Sequence, residues 1–185
     1  LSWVVAQASG GDLERAFAEQ IFAPLGMRSA FVGKPPSGVT RAIGHTPNRQ
    51  PTSAWDFDPA FAGVGGVRAS LNDMVRYVEA QLGRVEAPIG ASIKAGHAEV
   101  SPEDSQRMGM GWMIAPLNER EVFVHEGGTG GFSSFVAFRA DSSRGVVVLS
   151  DTAMTSLGGL GSLALHLLDD RVPLGPPRLA RTPPA

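Results

Sequence analysis

Cysteine is absent from this 185-residue chain, which excludes disulfides, thiolate metal sites and a cysteine nucleophile. The absence says nothing about compartment, since a cysteine-free chain folds as well in a periplasm as in a cytosol. Lysine is scarce, with Lys34 and Lys94 the two lysines among 16 basic residues. Tyrosine occurs once, at Tyr77. Neither charge dominates: 16 bases face 18 acids for a net charge of −2, which argues against nucleic acid as the main partner. No apolar run approaches the roughly 20 residues that a bilayer-spanning helix needs. There is no internal repeat and no Gly-x-Ser-x-Gly elbow, so the α/β-hydrolase arrangement is excluded. His45, His97 and His166 are scattered and lack the closely spaced partners of a zinc site, and Asp56 and Asp58 form no ligand spacing with them. Neither a metal nor a cofactor is expected; the histidines read as surface or locally satisfied groups and the aspartates as solvated loop charges.

The length suits one domain, or a large part of one, and can bury a sizeable core. Residues 1–8 are apolar enough for a core helix, closed by Ser9-Gly10-Gly11. They read like the middle of a buried element, so the chain is expected to be a piece of something longer. Asp12 is placed to cap a second helix reaching about Phe22, with Leu13, Ala16, Phe17, Gln20 and Ile21 on one face. Pro24-Leu25-Gly26-Met27 ends it. Residues 28–67 dissolve into Gly, Pro, Ser and Thr with Trp55, Phe57 and Phe61 interleaved, and a loop that long in a compact domain points to service at a site. Ser70-Leu71-Asn72-Asp73 has the form of a capping box, and Leu71, Met74, Val75, Val78 and Leu82 continue as a helix stripe.

After a polar stretch over 83–106, strands are predicted at 108–114, 121–125, Phe132–Arg139 and Gly145–Ser150. Asp141-Ser142-Ser143-Arg144-Gly145 supplies the turn between the last two, which gives an antiparallel meander of three or four strands. An apolar helix over 154–169 should lie across one face, with other helices on the opposite side. The fold class is therefore α+β. Residues 171–185 hold five of the 14 prolines without periodicity and read as a tail or linker.

The densest signal is His125-Glu126-Gly127-Gly128-Thr129-Gly130-Gly131-Phe132, with glycine at four of the five positions 127–131. That run is costly in chain entropy, so a bare backbone must be required there. Either a ligand approaches main-chain N–H groups, or the segment is a bulged hairpin turn. A phosphate loop does not fit, because no Gly-Lys-Ser/Thr follows and a strand continues where a helix should begin.

Three segments in order carry a resemblance: Ile21-Phe22-Ala23-Pro24-Leu25-Gly26-Met27, then Ala62-Gly63-Val64-Gly65-Gly66-Val67-Arg68-Ala69-Ser70 ahead of Asp73, then the stretch from Phe123 to Phe132. Over residues 1–168 the chain resembles the serine β-lactamase family of the class C type, which includes D,D-peptidases, D-aminopeptidases and penicillin-recognising esterases. That family's chemistry uses a Ser-x-x-Lys turn, a Tyr-x-Asn loop and a Lys-Thr-Gly strand. Neither lysine fits the first, because Phe31 and Ala91 stand three residues before Lys34 and Lys94. Tyr77 is followed by Val78 and Glu79 in a helix stripe, and reads as packing. His125-Glu126-Gly127 takes the place of Lys-Thr-Gly.

The resemblance thus implies that residues 1–170 are the C-terminal portion of an antiparallel-sheet-and-helix serine hydrolase domain, acting through an acyl-enzyme on ester, amide or β-lactam substrates. Its nucleophile half lies outside the chain, which alone should hydrolyse nothing. By the same resemblance the Gly128 N–H points at the oxyanion, Gly127 lets the acyl group lie flat, and His125 replaces the family lysine with a partly cationic group. Thr129 and Trp55 are candidate substrate contacts, although Trp55, Phe57 and Phe61 equally suit plugs that pin the loop. Glu126 would repel anionic substrates if it faced the cleft, which leans the reading toward esters or peptides. Two other readings stay open: a non-catalytic ligand-binding relative, and a structural or interaction domain of the same fold. Expected partners are a small-molecule or peptide substrate, the missing N-terminal half, and other copies through exposed apolar surface. The compartment is unknown from the residues; the resemblance implies export or a periplasmic location.

Overall fold

The computed structural model describes residues 1–101, 105–153 and 158–175. The chain divides into two compact units, one formed by Leu1–Arg41 and Trp55–Ile93, the other by Ala42–Ala54 and Lys94–Ala185.

The first unit is helical. In α1 (Ser2–Ala8) Ser2 is buried and its hydroxyl accepts the Gly63 N–H at 3.0 Å. Trp3 and Val4, by contrast, are 63% and 56% exposed, so the expected core helix buries only one side. Asp12 caps α2 (Leu13–Phe17) by accepting the Arg15 N–H at 3.1 Å. The helix then widens into a π turn, Ala18–Phe22, before α3 (Ala23–Leu25). Pro24 explains the widening: it has no N–H to donate and its ring crowds the preceding turn of an α-helix. Gly26 stops the helix at φ 68°, and the Met27 N–H reaches back to the Phe22 carbonyl at 2.8 Å. Leu13, Phe22, Leu25, Met27 and Val32 form the core here, joined by Ala80 of α4 (Leu71–Gln81).

The capping box at Ser70 is present. Its hydroxyl accepts the Asp73 N–H at 3.2 Å, and the Asp73 carboxylate accepts the Ser70 N–H at 3.0 Å. Tyr77 packs against the core, and burial pushes its phenol pKa up. The irregular stretch after Arg28 is ordered by Arg68, which exchanges backbone hydrogen bonds with Phe31 at 2.8 and 2.9 Å. Its guanidinium donates to the carbonyls of Val32 and Trp55 at 3.2 and 2.7 Å, and to the Asp56 carboxylate at 2.9 Å. Asp56 is thus an ion-pair partner and not a merely solvated charge. Asp58 closes a turn by accepting the Ala60 N–H at 2.9 Å.

The second unit holds a four-stranded antiparallel sheet in the order β3 (Met113–Leu117), β4 (Arg120–Thr129), β5 (Phe132–Arg139) and β6 (Gly145–Ser150). A short pair, β1 (Gly44–His45) and β2 (Pro51–Thr52), belongs to the same unit. The first long strand starts later than its residues suggested. Gly111 at φ 82° folds the chain back so that Met108 bridges Met113, and the strand runs on to Leu117 before Asn118, at φ 55°, turns it into β4.

Beyond the short α5 (Gly90–Gly96), a further helix, α6 (Gly158–Leu168), packs across β5 and β6. Residues 154–157 of the expected helix, and 176–185 of the expected tail, lie outside the described residues. Side chains alternate across the sheet. Val122, Val124, Phe135 and Ala137 meet Ala164 and Leu168 of α6. Phe123 and Phe138 point the other way, stacked on each other at 5.0 Å, where Trp112 and His97 join them within this unit.

Candidate functional site

The central feature is the overhang of β4. It pairs with β5 along its length, from Val122↔Arg139 to Thr129↔Phe132, but its pairing with β3 ends at Met113↔Val124. Among the described residues, 125–129 therefore have no β3 partner. The phase of the ladder is fixed by the Ala140 N–H donating to the Glu121 carbonyl at 3.0 Å. In an antiparallel ladder hydrogen-bonded and non-hydrogen-bonded pairs alternate, so His125, Gly127 and Thr129 bond to β5. Glu126 and Gly128 turn their N–H and C=O groups the other way, out of the overhanging edge. Gly128 is exposed, and a Cβ added there would meet nothing closer than the Phe132 carbonyl oxygen at 4.0 Å.

The strand sorts its side chains just as sharply. His125 and Thr129 lie on the face of Phe123, with His125 exposed, and Glu126 lies on the α6 face. There Glu126 borders a cavity of about 30 Å³ together with Ser133, Phe135 and Leu160. Its carboxylate is therefore behind the sheet from His125. Two neighbours not singled out from sequence join the site. Ser134 faces Gly127 across the ladder, with its hydroxyl 3.2 Å from where a Gly127 Cβ would sit. Trp112 presents its ring edge-to-face with His125 at 6.2 Å. Both were hidden because cross-strand neighbours depend on register, which a single strand's pattern does not state.

The glycine run divides into two functions. Gly130-Gly131 form the two-residue hairpin tip, with no bulge. Gly131 requires glycine twice over: its φ is 80°, and a Cβ would lie 2.7 Å from the Gly44 Cα. His45 completes that docking, its N–H donating to the carbonyls of Gly131 and Asp151 at 3.1 and 2.8 Å. The packing of the tip explains Gly131 but not Gly128.

Other candidates fall elsewhere. Trp55 belongs to the first unit, 57% exposed and edge-on to Phe57 at 6.3 Å; Phe57 is the ring that packs on the core, while Phe61 is exposed. His45 and His166 each bond a carbonyl through Nδ1, and His97 lies against Phe123 and Phe138, where burial lowers its pKa. Among the described residues no cluster of potential metal ligands occurs, and no helix is long and apolar enough to cross a membrane. A cavity of about 380 Å³ lies at the other end of the sheet, lined by Glu119, Arg120, Glu121 and Asp141 at the opposite turns. It is remote along β4 from Gly128 and takes no part in this site.

Residues 1–160 match the Beta-lactamase family. The chain belongs to that family. A β-lactamase of Pseudomonas fluorescens is 23% identical over 80% of this chain and 51% of its own length. The unguisins hydrolase of Aspergillus violaceofuscus is 22% identical over 92% of this chain and 36% of its own length. In fold the chain is similar to a class C β-lactamase from Rhodobacter sphaeroides, with TM-score 0.75 at 19% identity, over 84% of this chain and 53% of that one. It is also similar to a β-lactamase/D-alanine carboxypeptidase from Pseudomonas syringae, with TM-score 0.72 at 20% identity over 82% and 51%. The antiparallel sheet with flanking helices is thus the β-lactamase-like serine hydrolase fold. The chain spans about half the length, or less, of these relatives.

Proposed function

We propose that this chain is the C-terminal portion, residues 1–170, of a serine hydrolase that forms an acyl-enzyme on ester, amide or β-lactam substrates. Its Ser-x-x-Lys and Tyr-x-Asn elements lie in a missing N-terminal half. The observation that carries the reading is the overhang of β4, where an outward Gly128 amide stands beside an exposed His125. An N–H held on a rigid strand and aimed away from its own ladder is the kind of donor an oxyanion needs, because it costs no reorganisation when charge develops.

In this reading the Gly128 N–H is one oxyanion donor, and the absent serine supplies the other. Gly127 keeps the strand flat under the acyl group, and His125 and Thr129 offer polar groups on the same face. The position of Glu126 on the α6 face removes the reason to exclude anionic substrates, so β-lactams and D-peptides stand beside esters. The relatives, among them a β-lactamase, an unguisins hydrolase and a β-lactamase/D-alanine carboxypeptidase, support a hydrolytic role. A purely structural role is disfavoured by the exposed Gly128, since a glycine used for packing alone would be covered.

The test compares this chain with its parent polypeptide, using nitrocefin and p-nitrophenyl butyrate, with intact-mass spectrometry for acylation. The parent should acylate on an upstream serine and turn over at least one probe, while the 185-residue chain does neither. Acylation of the short chain, or an inert parent, would overturn the reading.

A further inference from the structure

We propose that Trp112 is the positioning residue for the His125 imidazole. The inference deepens the acyl-transfer reading and rests on it for its catalytic meaning. The His125 ring is exposed and makes no hydrogen bond among the described residues, so no polar partner fixes its rotamer. What it does have is a wall. The Trp112 ring lies 6.2 Å away at 86°, an edge-to-face contact in which one ring's positive rim meets the other's negative face.

Trp112 is itself immobilised. It is 8% exposed and lies edge-on to Phe138, at 4.9 Å and 84°, and Phe138 in turn stacks on Phe123. Its backbone is pinned by the reversal at Gly111 and by the Gly109 N–H donating to the Trp112 carbonyl at 2.7 Å. A rigid aromatic wedge therefore reaches from the sheet core to the exposed imidazole of the overhang. This supplies what the substitution of histidine demands. A lysine ammonium is a compact charge on a flexible stem and finds its partner from many rotamers, whereas an imidazole presents a nitrogen only along fixed directions in its plane. Orientation has to come from outside the ring, and Trp112 is placed to give it.

The experiment has two arms with separate meanings. In the 185-residue chain, nuclear Overhauser contacts between the indole of Trp112 and the imidazole protons of His125 should be present. The His125 resonances should move toward solvent-exposed positions in W112L and stay close to native in W112F. Absence of those contacts overturns the proposal without touching the assignment of acyl transfer. In the parent polypeptide, W112L should lower the acylation rate on the order of 10- to 100-fold, as expected when a reacting group is misplaced, and W112F should restore most of it. On an H125A background W112L should cost no more than about twofold. An equal loss with and without His125 would show Trp112 to be a packing residue only. A parent that never acylates would defeat the proposed function, and the resonance arm would still decide the pairing.

Discussion

Gly128 and its neighbour Gly127 look interchangeable in sequence, yet the structure gives them opposite duties. Gly127 bonds across the ladder to Ser134, whereas Gly128 directs its amide outward. This separation makes a sharp prediction for the parent polypeptide. G128A should keep nearly full acylation, because the added methyl enters open space and the N–H remains. G128P removes the donor at an edge position that tolerates proline, and should cost on the order of 10²- to 10³-fold in acylation rate. Equal effects of the two variants would show that the amide has no role. The same residue-scale logic separates His125 from Glu126: adjacent in sequence, they lie on opposite faces of the sheet. The residue types were readable, but the side each one faces became certain only with the register.

The hairpin joining β4 to β5 is the element that holds these groups, and its tip is fastened by β1. G131A would combine a left-handed backbone with a Cβ 2.7 Å from the Gly44 Cα, so it should lower stability by about 2 kcal/mol or more, seen as a reduced urea midpoint. Elements with local causes were legible beforehand: the Asp12 and Ser70 caps, the α4 stripe, and the strands Phe132–Arg139 and Gly145–Ser150. Elements with distant causes were not. Residues 44–52 carry no periodic pattern, because β1 and β2 are two-residue strands that pair with each other, and His45 of β1 finds its further partners at Gly131 and Asp151 far along the chain. The start of β3 was misplaced for a similar reason, since the Met108–Met113 reversal turns on the positive φ of Gly111. The π turn before Pro24 was likewise hidden inside an ordinary helical stripe.

For the whole molecule, acid stability should depend on Asp169. Its carboxylate, 3% exposed at the end of α6, accepts from Arg171 at 2.8 and 3.0 Å and from Asn118 of the β3–β4 turn at 3.0 Å. The Arg171 guanidinium, aided by Asn118, holds its pKa well below the ordinary carboxylate range. A depressed folded value means the contribution is complete above about pH 4, where the unfolded aspartate ionises, and fades as pH falls further. D169N should therefore be less stable than the native chain at about pH 7, and the gap should narrow toward about pH 3 in urea titrations. A gap independent of pH would show that the clasp works by packing alone. On the same scale, Leu1, Trp3, Val4 and Val64 remain exposed in the first unit.

By itself the sequence determined the family-bearing segments, the caps, the meander and the absence of a resident Ser-x-x-Lys, because each is written in neighbouring residues. Tertiary structure alone decided which amide leaves the sheet edge, which face carries Glu126, and that Trp112 stands beside His125. The physical reason is register: one hydrogen-bond phase, set by Ala140 and Glu121, assigns every group on β4 to an edge or a face, and no local pattern records it.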